Sequence, residues 1–344
     1  MPEWFSRVAA CLATLPLVAC GPVADAAPKT NRATPATLQA MLSRAGDGEV
    51  IVLGPGVYKD IIISNKTFRT PLTLEAQGAT LEGFRAKNVT GLTIRGGVFV
   101  VPAPVRKAST GQLVYGGATR FDNVGRLRIT GSYFTGPGAP PGSTTGPYGE
   151  GYGVFVVTGS DVTVTDGRFQ GLKNGIVLSR VDGFNLTGNR FAGNRSDGIN
   201  VGEGRKGVIE GNECAQTRIR DKEHPDCIQL WSRPTSPPVS DVVIRRNRAE
   251  GDMQGIGMFN HVRNGVNDGG FDRITIEEND MRVAYPHGIA IVDARDSIVR
   301  NNRVSTMPGA KWRASISAKT AMRCGNVVAE GAGRGSEKDR ACQD

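Results

Sequence analysis

A short apolar phrase recurs along the chain, and this repeat limits the possible folds more than any other feature of the sequence. In each copy an aliphatic residue follows a small one, as in Asp-Gly-Ile-Asn-Val at 197–201. The aligned copies are Gly-Val-Phe-Val at 153–156, Gly-Ile-Val-Leu at 175–178, Gly-Ile-Asn-Val at 198–201, Cys-Ile-Gln-Leu at 227–230, Gly-Ile-Gly-Met at 255–258 and Gly-Ile-Ala-Ile at 288–291. Short strands that return every 22 to 33 residues are typical of a solenoid in which each repeat forms one coil.

A second phrase keeps the same period and consists of an aliphatic residue, a polar residue three positions later and an apolar residue at plus five. Its clear copies are Leu186/Asn189/Phe191, Ile209/Asn212/Cys214, Ile244/Asn247/Ala249, Ile276/Asn279/Met281 and Val299/Asn302/Val304, with weaker copies at Leu74, Ile94, Ile129, Val164 and Met322. The alternation places one face of each strand in a shared interior. We therefore predict an all-β, single-domain, right-handed parallel β-helix of about ten coils. The asparagine series is expected to be structural, because stacked amides satisfy buried backbone groups at turns.

The amino terminus carries the features of a bacterial export signal over residues 1–26. Arg7 precedes an apolar run at 8–19, which is too short to span a membrane. Either Cys20 completes a lipobox and becomes the lipidated first residue, or cleavage occurs before Ala27. We expect an exported protein, in the periplasm or as an outer-membrane lipoprotein of a Gram-negative bacterium. A lipid anchor at Cys20 is its one expected contact with a membrane.

The β-helix domain is expected over residues 27–331, followed by a polar tail at 332–344. At the start of the domain, Thr34 and Pro35 match the preferences of a helix N-cap and first helical residue. A one-sided apolar stripe follows at Leu38, Met41 and Leu42. We predict a short amphipathic helix that caps the open end of the first coil, where bare strand edges would otherwise favour aggregation.

Four cysteines lie outside the amino-terminal segment, and an even number suits an oxidising compartment. They are Cys214, Cys227, Cys324 and Cys342. Local pairing would join 214 to 227 and 324 to 342, although the sequence leaves the other two connectivities open. No metal site is expected from them, because the spacings that bind zinc do not occur.

The chain is basic, with a net charge of +9 and a pI near 9.4, which makes polyanions plausible partners. No arginine-rich helix, zinc-finger spacing or aromatic RNA-binding motif is present in the sequence, so nucleic acid is not the expected partner. An acidic polysaccharide is the polyanion that an exported protein would meet. We expect the protein to be a monomer.

Polar residues gather at matching positions of neighbouring coils. Asp197 and Asp226 lie two residues before the buried isoleucine of their coils, and Asn200 and Gln229 lie one residue after it. Two carboxylates one coil apart should lie roughly 5 Å from each other, so one pKa should rise unless a cation sits between them. Acid–base chemistry or a bound Ca2+ would use such a pair. An aspartate before Gly-Ile can also serve as a turn former, which is the simpler interpretation for each acid alone.

The same face carries the three histidines of the chain and a basic excursion. The residues concerned are His224, His261 and His287, the excursion residues Arg218, Arg220 and Lys222, and Trp231. Arginine can hold an acidic sugar through its carboxylate, and tryptophan can stack on a sugar ring. Taken singly, the charges suit a solvated loop and Trp231 suits a cover for the following loop. Taken as a cluster with the carboxylates, these residues favour a binding or catalytic site.

Three segments resemble the pectin-lyase-like superfamily of carbohydrate-active β-helices. The segment from Leu-Gln-Ala-Met-Leu at 38–42 through Gly-Glu-Val-Ile-Val-Leu-Gly-Pro-Gly-Val-Tyr at 48–58 is similar to the start of chondroitinase-B-like and alginate-lyase-like proteins. Ser-Asp-Gly-Ile at 196–199 and Pro-Asp-Cys-Ile at 225–228 resemble polygalacturonase motifs. This resemblance implies that Asp197 and Asp226 help to activate water. The chain departs from that family at Pro225, where the general acid would stand, and at Gln254, where a histidine would stand.

These observations lead to three functional hypotheses. The first is a lyase that performs β-elimination on a uronate-containing polysaccharide, which needs a base, an acid and a cation for the uronate carboxylate. Its expected groups are His224 or Lys222 as base, Arg218 or Arg220 as the neutralising cation, Asp226 with Gln229 as orienting groups, and Asn200, Trp231, His261 and His287 as further substrate contacts. A C5-epimerase, which shares the first step of the lyase, is an alternative to it. The second is an inverting glycoside hydrolase that uses Asp197 and Asp226 with a third acid such as Asp221, Glu223 or Asp293. The third is a non-catalytic β-helix that binds glycan. No cofactor is required by any of them, although Ca2+ is possible.

Overall fold

The computed structural model describes residues 29–110, 113–137, 149–215, 224–234, 236–260, 264–265, 269–329 and 336–343. The chain winds as a right-handed parallel β-helix, as the repeat predicts. The export signal and Cys20 lie outside the described residues. Parallel strands joined by right-handed crossovers stack coil upon coil, so that residues far apart in sequence become neighbours.

The larger sheet covers two faces of the coil, because its early strands bend and its later strands are divided in two. Its strands are Thr30–Ala33, Val50–Leu53, Ile62–Glu75, Phe84–Arg95, Thr119–Thr130, Tyr152–Thr165, Asn174–Thr187, Ile199–Gly202, Arg205–Glu210, Asp226–Ser232, Val239–Arg245, Gln254–Asn260, Phe271–Glu277, His287–Ile291, Ala294–Arg295, Ile298–Arg300, Ser315–Ser317 and Met322–Cys324. We call the face that carries Asp226–Ser232 the front face.

The second sheet forms the remaining face. Its strands are Gly56–Lys59, Ala79–Glu82, Val98–Val100, Tyr133–Thr135, Arg168–Gln170, Arg190–Ala192, Glu213–Ala215, Arg248–Gly251, Asp280–Val283, Arg303–Thr306, Val327–Ala329 and Ser336–Lys338. All its described pairings are parallel except the last, in which Ser336–Lys338 runs antiparallel to Val327–Ala329. A separate antiparallel hairpin joins Val105–Arg106 to Leu113–Val114.

The predicted capping helix is present and spans Leu38–Arg44. It begins later than the sequence signal suggests: Thr37, and not Thr34, is the N-cap, and Pro35 lies in the preceding turn. Leu38 and Leu42 are buried against the first coils. The apolar stripe therefore covers the end of the core, as expected from its one-sided pattern.

The interior consists of columns of identical or similar side chains. Ile176, Ile199, Ile228, Ile256 and Ile289 occupy equivalent positions on successive coils and are all fully buried. On the second sheet, stacked phenylalanine rings have centroids 4.7 to 5.0 Å apart at Phe99, Phe134, Phe169 and Phe191. Such columns bury the apolar side of every strand and fix the register between coils.

The predicted asparagine series forms a buried ladder at one turn. The backbone N–H and the side-chain Nδ2 of Asn212 both donate to Oδ1 of Asn247, and both donor–acceptor distances are 2.9 Å. The same pattern repeats along Asn189, Asn212, Asn247, Asn279, Asn302 and Asn326. The ladder satisfies backbone groups that the turn would otherwise leave unpaired, which supports the structural interpretation.

The last coil is shifted by one residue from the alignment that the sequence repeat predicts. Met322 was expected to point inward, but it is 65% exposed, and Arg323 is the residue that pairs with Val299. Asn326 instead continues the ladder one position later than the expected copy. The expected tail at 332–344 contains the strand Ser336–Lys338 and is joined to the last coil by the disulfide between Cys324 and Cys342.

Candidate functional site

The front face brings the predicted polar residues together on neighbouring coils. Asn200 pairs in register with Gln229, and Gln229 pairs with Gly257 on the next coil. Asp226 stands beside Gln254 in the same way. The columns inferred from the repeat are therefore present, because register in a stacked parallel sheet carries each sequence position to the same place on every coil.

Asp197 is buried and accepts hydrogen bonds on both oxygens. Its Oδ2 accepts from Nδ2 of Asn200 at 2.6 Å and from Nδ2 of Asn174 at 3.1 Å. Its Oδ1 accepts from the backbone N–H of Asp226 at 3.1 Å. Asp197 thus links its own coil to the next one, and its carboxylate is held by these three donors and, at 3.5 Å, by the hydroxyl of Ser196.

Asp226 has no exposed surface, yet its carboxylate lies on the outer side of the sheet. Its Oδ2 accepts from Nε2 of Gln229 at 2.8 Å and faces Nδ1 of His224 at 3.8 Å. Its Oδ1 is buried and has no hydrogen-bond partner among the described residues. A methyl group built on Gly257 would lie 2.8 Å from that oxygen, so Oδ1 borders the space above Gly257.

The titration properties of this cluster follow from burial and from the short distance between the acids. Burial and the neighbouring Asp226 carboxylate raise the pKa of Asp197 to about 7. Burial also raises the pKa of Asp226, against the opposing effect of His224. The Asp226 carboxylate opposite the imidazole raises the pKa of His224 to about 9. The cluster therefore holds its protons more tightly than free side chains do.

A cavity of about 530 Å³ opens above these residues on the front face. It is lined by His224, Gln229, Trp231, Gln254, Phe259 and His287. The ring of His287 packs edge-on against Phe259, with centroids 5.4 Å apart. The cavity thus combines aromatic walls with a few converging polar groups, which is the usual composition of a ligand site.

Trp231 lines the cavity and packs closely against its neighbours on the front face. Its ring packs on Gly202 of the preceding coil, where a methyl group would approach it to 2.1 Å. Its Nε1 donates to Oδ1 of Asn200 at 2.9 Å. The guanidinium of Arg233 lies over the ring, 4.6 Å from its centroid. Arg233 therefore covers a face of the indole that a sugar ring would need for stacking.

The structure brings together two of the three histidines, since His224 and His287 line one cavity with Gln229. His261 and the excursion residues Arg218, Arg220 and Lys222 lie outside the described residues. Within the described part of the chain, no group of three or more histidine, cysteine, aspartate or glutamate residues is placed to hold a metal ion.

Three residues at the site had no assigned role in the sequence, and two of them, Gln254 and Phe259, line the cavity. Gln254 continues the column of Asp197 and Asp226, so the repeat itself contained the signal that it faces the site. Phe259 lies further along the same strand, and at Gly257 any side chain would overlap the Phe259 ring and Asp226 Oδ1. The importance of Gly257 was not detectable, because glycine is also frequent at the turns of this fold.

The disulfide between Cys214 and Cys227 fastens the segment that precedes the site strand. Cys227 directly follows Asp226, and the closed loop includes His224. Both expected local pairs, this one and that of Cys324 with Cys342, are present. None of the described helices has the length and apolar character that a membrane crossing requires.

Comparisons with known proteins agree with this architecture. A family described as a right-handed beta helix region matches residues 117–304. An endo-xylogalacturonan hydrolase from Aspergillus tubingensis has a similar structure, with a TM-score of 0.59, 12% sequence identity and coverage of 88% of this chain and 92% of the hydrolase. An alginate lyase has a TM-score of 0.52 and 18% identity, with 84% of this chain and 63% of the lyase covered. Curated protein sequences gave no match. At these identities the similarity concerns the fold.

Proposed function

The chain belongs to the right-handed β-helix family, and from this premise we propose that it is a polysaccharide lyase that performs β-elimination on a uronate-containing polysaccharide. The observation that carries the proposal is the contact between His224 and Asp226 at the front-face cavity. The imidazole is 66% exposed, whereas the carboxylate that faces it is fully buried. An exposed acid–base group held by a buried carboxylate is a common catalytic arrangement.

In the proposed reaction His224 removes the proton at C5 of the uronate. The electron pair forms the double bond between C4 and C5, the bond from C4 to the glycosidic oxygen breaks, and the leaving oxygen takes up a proton from solvent water. His224 then releases to solvent the proton that it took from C5. Nδ1 of His224 faces Asp226, so Nε2 is the nitrogen left for the substrate. Nε2 of Gln229 donates to Oδ2 of Asp226, the same oxygen that faces His224, and orients the carboxylate. Lys222 is the alternative base.

Proton removal from C5 also needs a cation that neutralises the uronate carboxylate. We assign this role to Arg218 or Arg220. Arg233, which lies over Trp231 at the edge of the cavity, is a cation of the described chain in the same neighbourhood. Asn200, His261 and His287 remain proposed substrate contacts. Bound Ca2+ is a further possible source of positive charge in this site.

A specific observation also favours an inverting hydrolase as second candidate. Burial and Asp226 raise the pKa of Asp197 to about 7, so this acid can carry a proton near neutral pH. However, the two acids lie one coil apart, roughly 4.8 Å, whereas inverting pairs usually lie roughly 6.5–9.5 Å apart. Hydrolysis would therefore require a third acid, which makes β-elimination the better-supported reaction.

The direct test is incubation with alginate, pectate and glycosaminoglycans while the ultraviolet absorbance of the unsaturated product is followed. We expect absorbance to rise with one of these substrates and the His224→Ala variant to lose that activity. Arg190→Ala, which removes an exposed arginine of the second sheet, is the control and should retain it. New reducing ends without an unsaturated product would select the hydrolase. Binding without turnover would select the non-catalytic alternative.

We further propose that the protein acts outside the cytoplasm as a monomer, in the periplasm or anchored through Cys20 to the outer membrane. Support comes from its two disulfides, which persist in oxidising compartments. Mass spectrometry of the mature amino terminus distinguishes a lipidated Cys20 from an unmodified Ala27.

A further inference from the structure

Two buried acceptor oxygens lie among or directly behind the residues that line the front-face cavity, and neither has a hydrogen-bond partner among the described residues. They are Oδ1 of Asp226 and Oε1 of Gln254. The two residues pair in register on adjacent coils, and Gln254 lines the cavity directly. Elsewhere in the cluster the acceptors are satisfied, as in Asp197, where both oxygens receive donors.

An unpaired buried acceptor costs free energy, so a stable fold rarely keeps two of them side by side. The amide oxygen of Gln254 accepts hydrogen bonds and offers no proton, and Oδ1 of Asp226 does the same when its carboxyl group is ionised. A ligand that completes this pair must therefore present two donors at neighbouring positions.

Atoms of Asp226 and Phe259 pack closely over Gly257 beside this pair. It occupies the outward position between Gln229 and Ala290, and a methyl group there would meet Asp226 Oδ1 at 2.8 Å and the Phe259 ring at 2.6 Å. The space beside the oxygens is thus narrow and ends on an aromatic ring. A bulky substituent therefore has no room beside Asp226 Oδ1 as Phe259 is placed here.

We propose that Asp226 Oδ1 and Gln254 Oε1 form a subsite that accepts hydrogen bonds from two neighbouring free hydroxyl groups of one glycosyl residue, and that rejects residues O-acylated at those positions. The inference rests on the proposed function, because it takes a glycan as the ligand of this cavity. An O-acyl ester removes the proton that the acceptors need and adds bulk where Gly257 and Phe259 leave little room. A site built to bind a hydroxyl discriminates strongly against analogues that lack it.

The test measures binding of defined oligouronates by titration calorimetry, each in a free and an O-acetylated form. The wild-type protein should bind the free form about 10- to 100-fold more tightly, the range expected for hydrogen bonds that include a charged acceptor. Gln254→Met keeps the length of the side chain but lacks the acceptor, so it should lose most of this preference. Gln254→Glu keeps an acceptor oxygen and should retain it.

Gln170→Met is the matched control, because Gln170 is an exposed glutamine on the second sheet. It should bind both forms as the wild type does, and circular dichroism should show that all variants are folded. With a substrate that is turned over, Gln254→Met should raise KM about tenfold and leave kcat nearly unchanged, as expected when binding is lost equally in ground and transition states.

Equal affinity of the wild type for free and acetylated oligomers would overturn the subsite, as would an unchanged preference in Gln254→Met. Failure to bind any oligouronate would overturn it as well. The two proposals fail separately: a clear preference for free hydroxyls without unsaturated product refutes the lyase and leaves the subsite. Unsaturated product formed equally from free and acetylated substrate refutes the subsite and leaves the lyase.

Discussion

Nδ1 of His224 lies 3.8 Å from Oδ2 of Asp226, so an imidazole that is two-thirds exposed faces a carboxylate with no exposed surface. The carboxylate raises the pKa of the imidazole to about 9. His224 is therefore mainly protonated at neutral pH, and the fraction able to act as a base grows as the pH rises towards that value.

This relationship predicts the pH profile of the proposed lyase. In the wild type, kcat/KM should rise with pH up to about 9, because only the neutral imidazole of His224 removes a proton. Asp226→Asn removes the charge that stabilises the imidazolium. The ascending limb should then move towards the ordinary histidine value, 6.5, while the maximum rate falls because orientation is impaired.

Asp182→Asn provides the control for this measurement. Asp182 pairs with Arg205 outside the cavity, so its loss should leave the limb in place. If the ascending limb of kcat/KM lies at the same pH in Asp226→Asn as in the wild type, the contact between His224 and Asp226 does not set the active protonation state.

Asp197 predicts a separate effect of pH on stability. Burial and the neighbouring Asp226 raise its pKa from 3.8 to about 7 in the folded protein. Between these values the folded state binds more protons than the unfolded state, so the free energy of unfolding should fall as the pH rises from about 4 to 7. The Asp197→Asn variant lacks this titration. Urea denaturation at several pH values should therefore show a smaller fall in the free energy of unfolding for the variant than for the wild type. An equal fall in the two proteins would contradict the assignment.

The packing of Trp231 on Gly202 predicts that a single methyl group displaces the indole. A methyl group at Gly202 would overlap the ring at 2.1 Å, so Gly202→Ala should move Trp231 and break its hydrogen bond to Asn200. We expect a red-shifted tryptophan fluorescence and weaker glycan binding. Gly116→Ala is the control, because nothing lies within 4 Å of a methyl group there. Unchanged fluorescence in Gly202→Ala would show that the indole does not rest on this glycine.

The sequence predicted the placement of the acids because that placement depends on period alone. Once the isoleucine copies are aligned, Asp197 and Asp226 must fall on adjacent coils, and the structure places them there. Their complete burial was not predictable from the repeat. The burial of the two acids depends on residues outside the regular strand positions. His224, which precedes the strand Asp226–Ser232, is one of them.

The sequence predicted the positions of side chains less well wherever a coil departs from the regular pattern. Met322 was aligned one residue too early, although Asn326 followed by Val328 carries the polar and apolar spacing of the ladder. The contact of Arg233 with Trp231 was also missed, since it depends on side-chain conformations beyond the strand. Periodicity therefore defines the core and the columns, whereas the walls of the cavity require coordinates.

The two disulfides should differ in their effects on activity. Each closes a short loop, with sequence separations of 13 and 18, so replacing either pair by alanine should cost about 3 kcal/mol. Replacing Cys214 and Cys227 should also impair the site, because Cys227 follows Asp226 directly. Replacing Cys324 and Cys342 should lower the melting temperature and leave kcat/KM unchanged below it. Equal losses of activity in both double variants would contradict this division.

The asparagine ladder should contribute more to stability than any exposed polar contact, because its members satisfy buried backbone groups on two coils. Asn247→Ala removes the acceptor of the Asn212 backbone N–H and the donor to the Ile209 carbonyl. Each group left unpaired costs about 1–3 kcal/mol, so we expect a loss of about 2–6 kcal/mol in the free energy of unfolding by urea. Asn185→Ala, at an exposed asparagine, should change stability by no more than about 0.5 kcal/mol. Similar losses in the two variants would mean that water readily replaces the ladder, which its burial argues against.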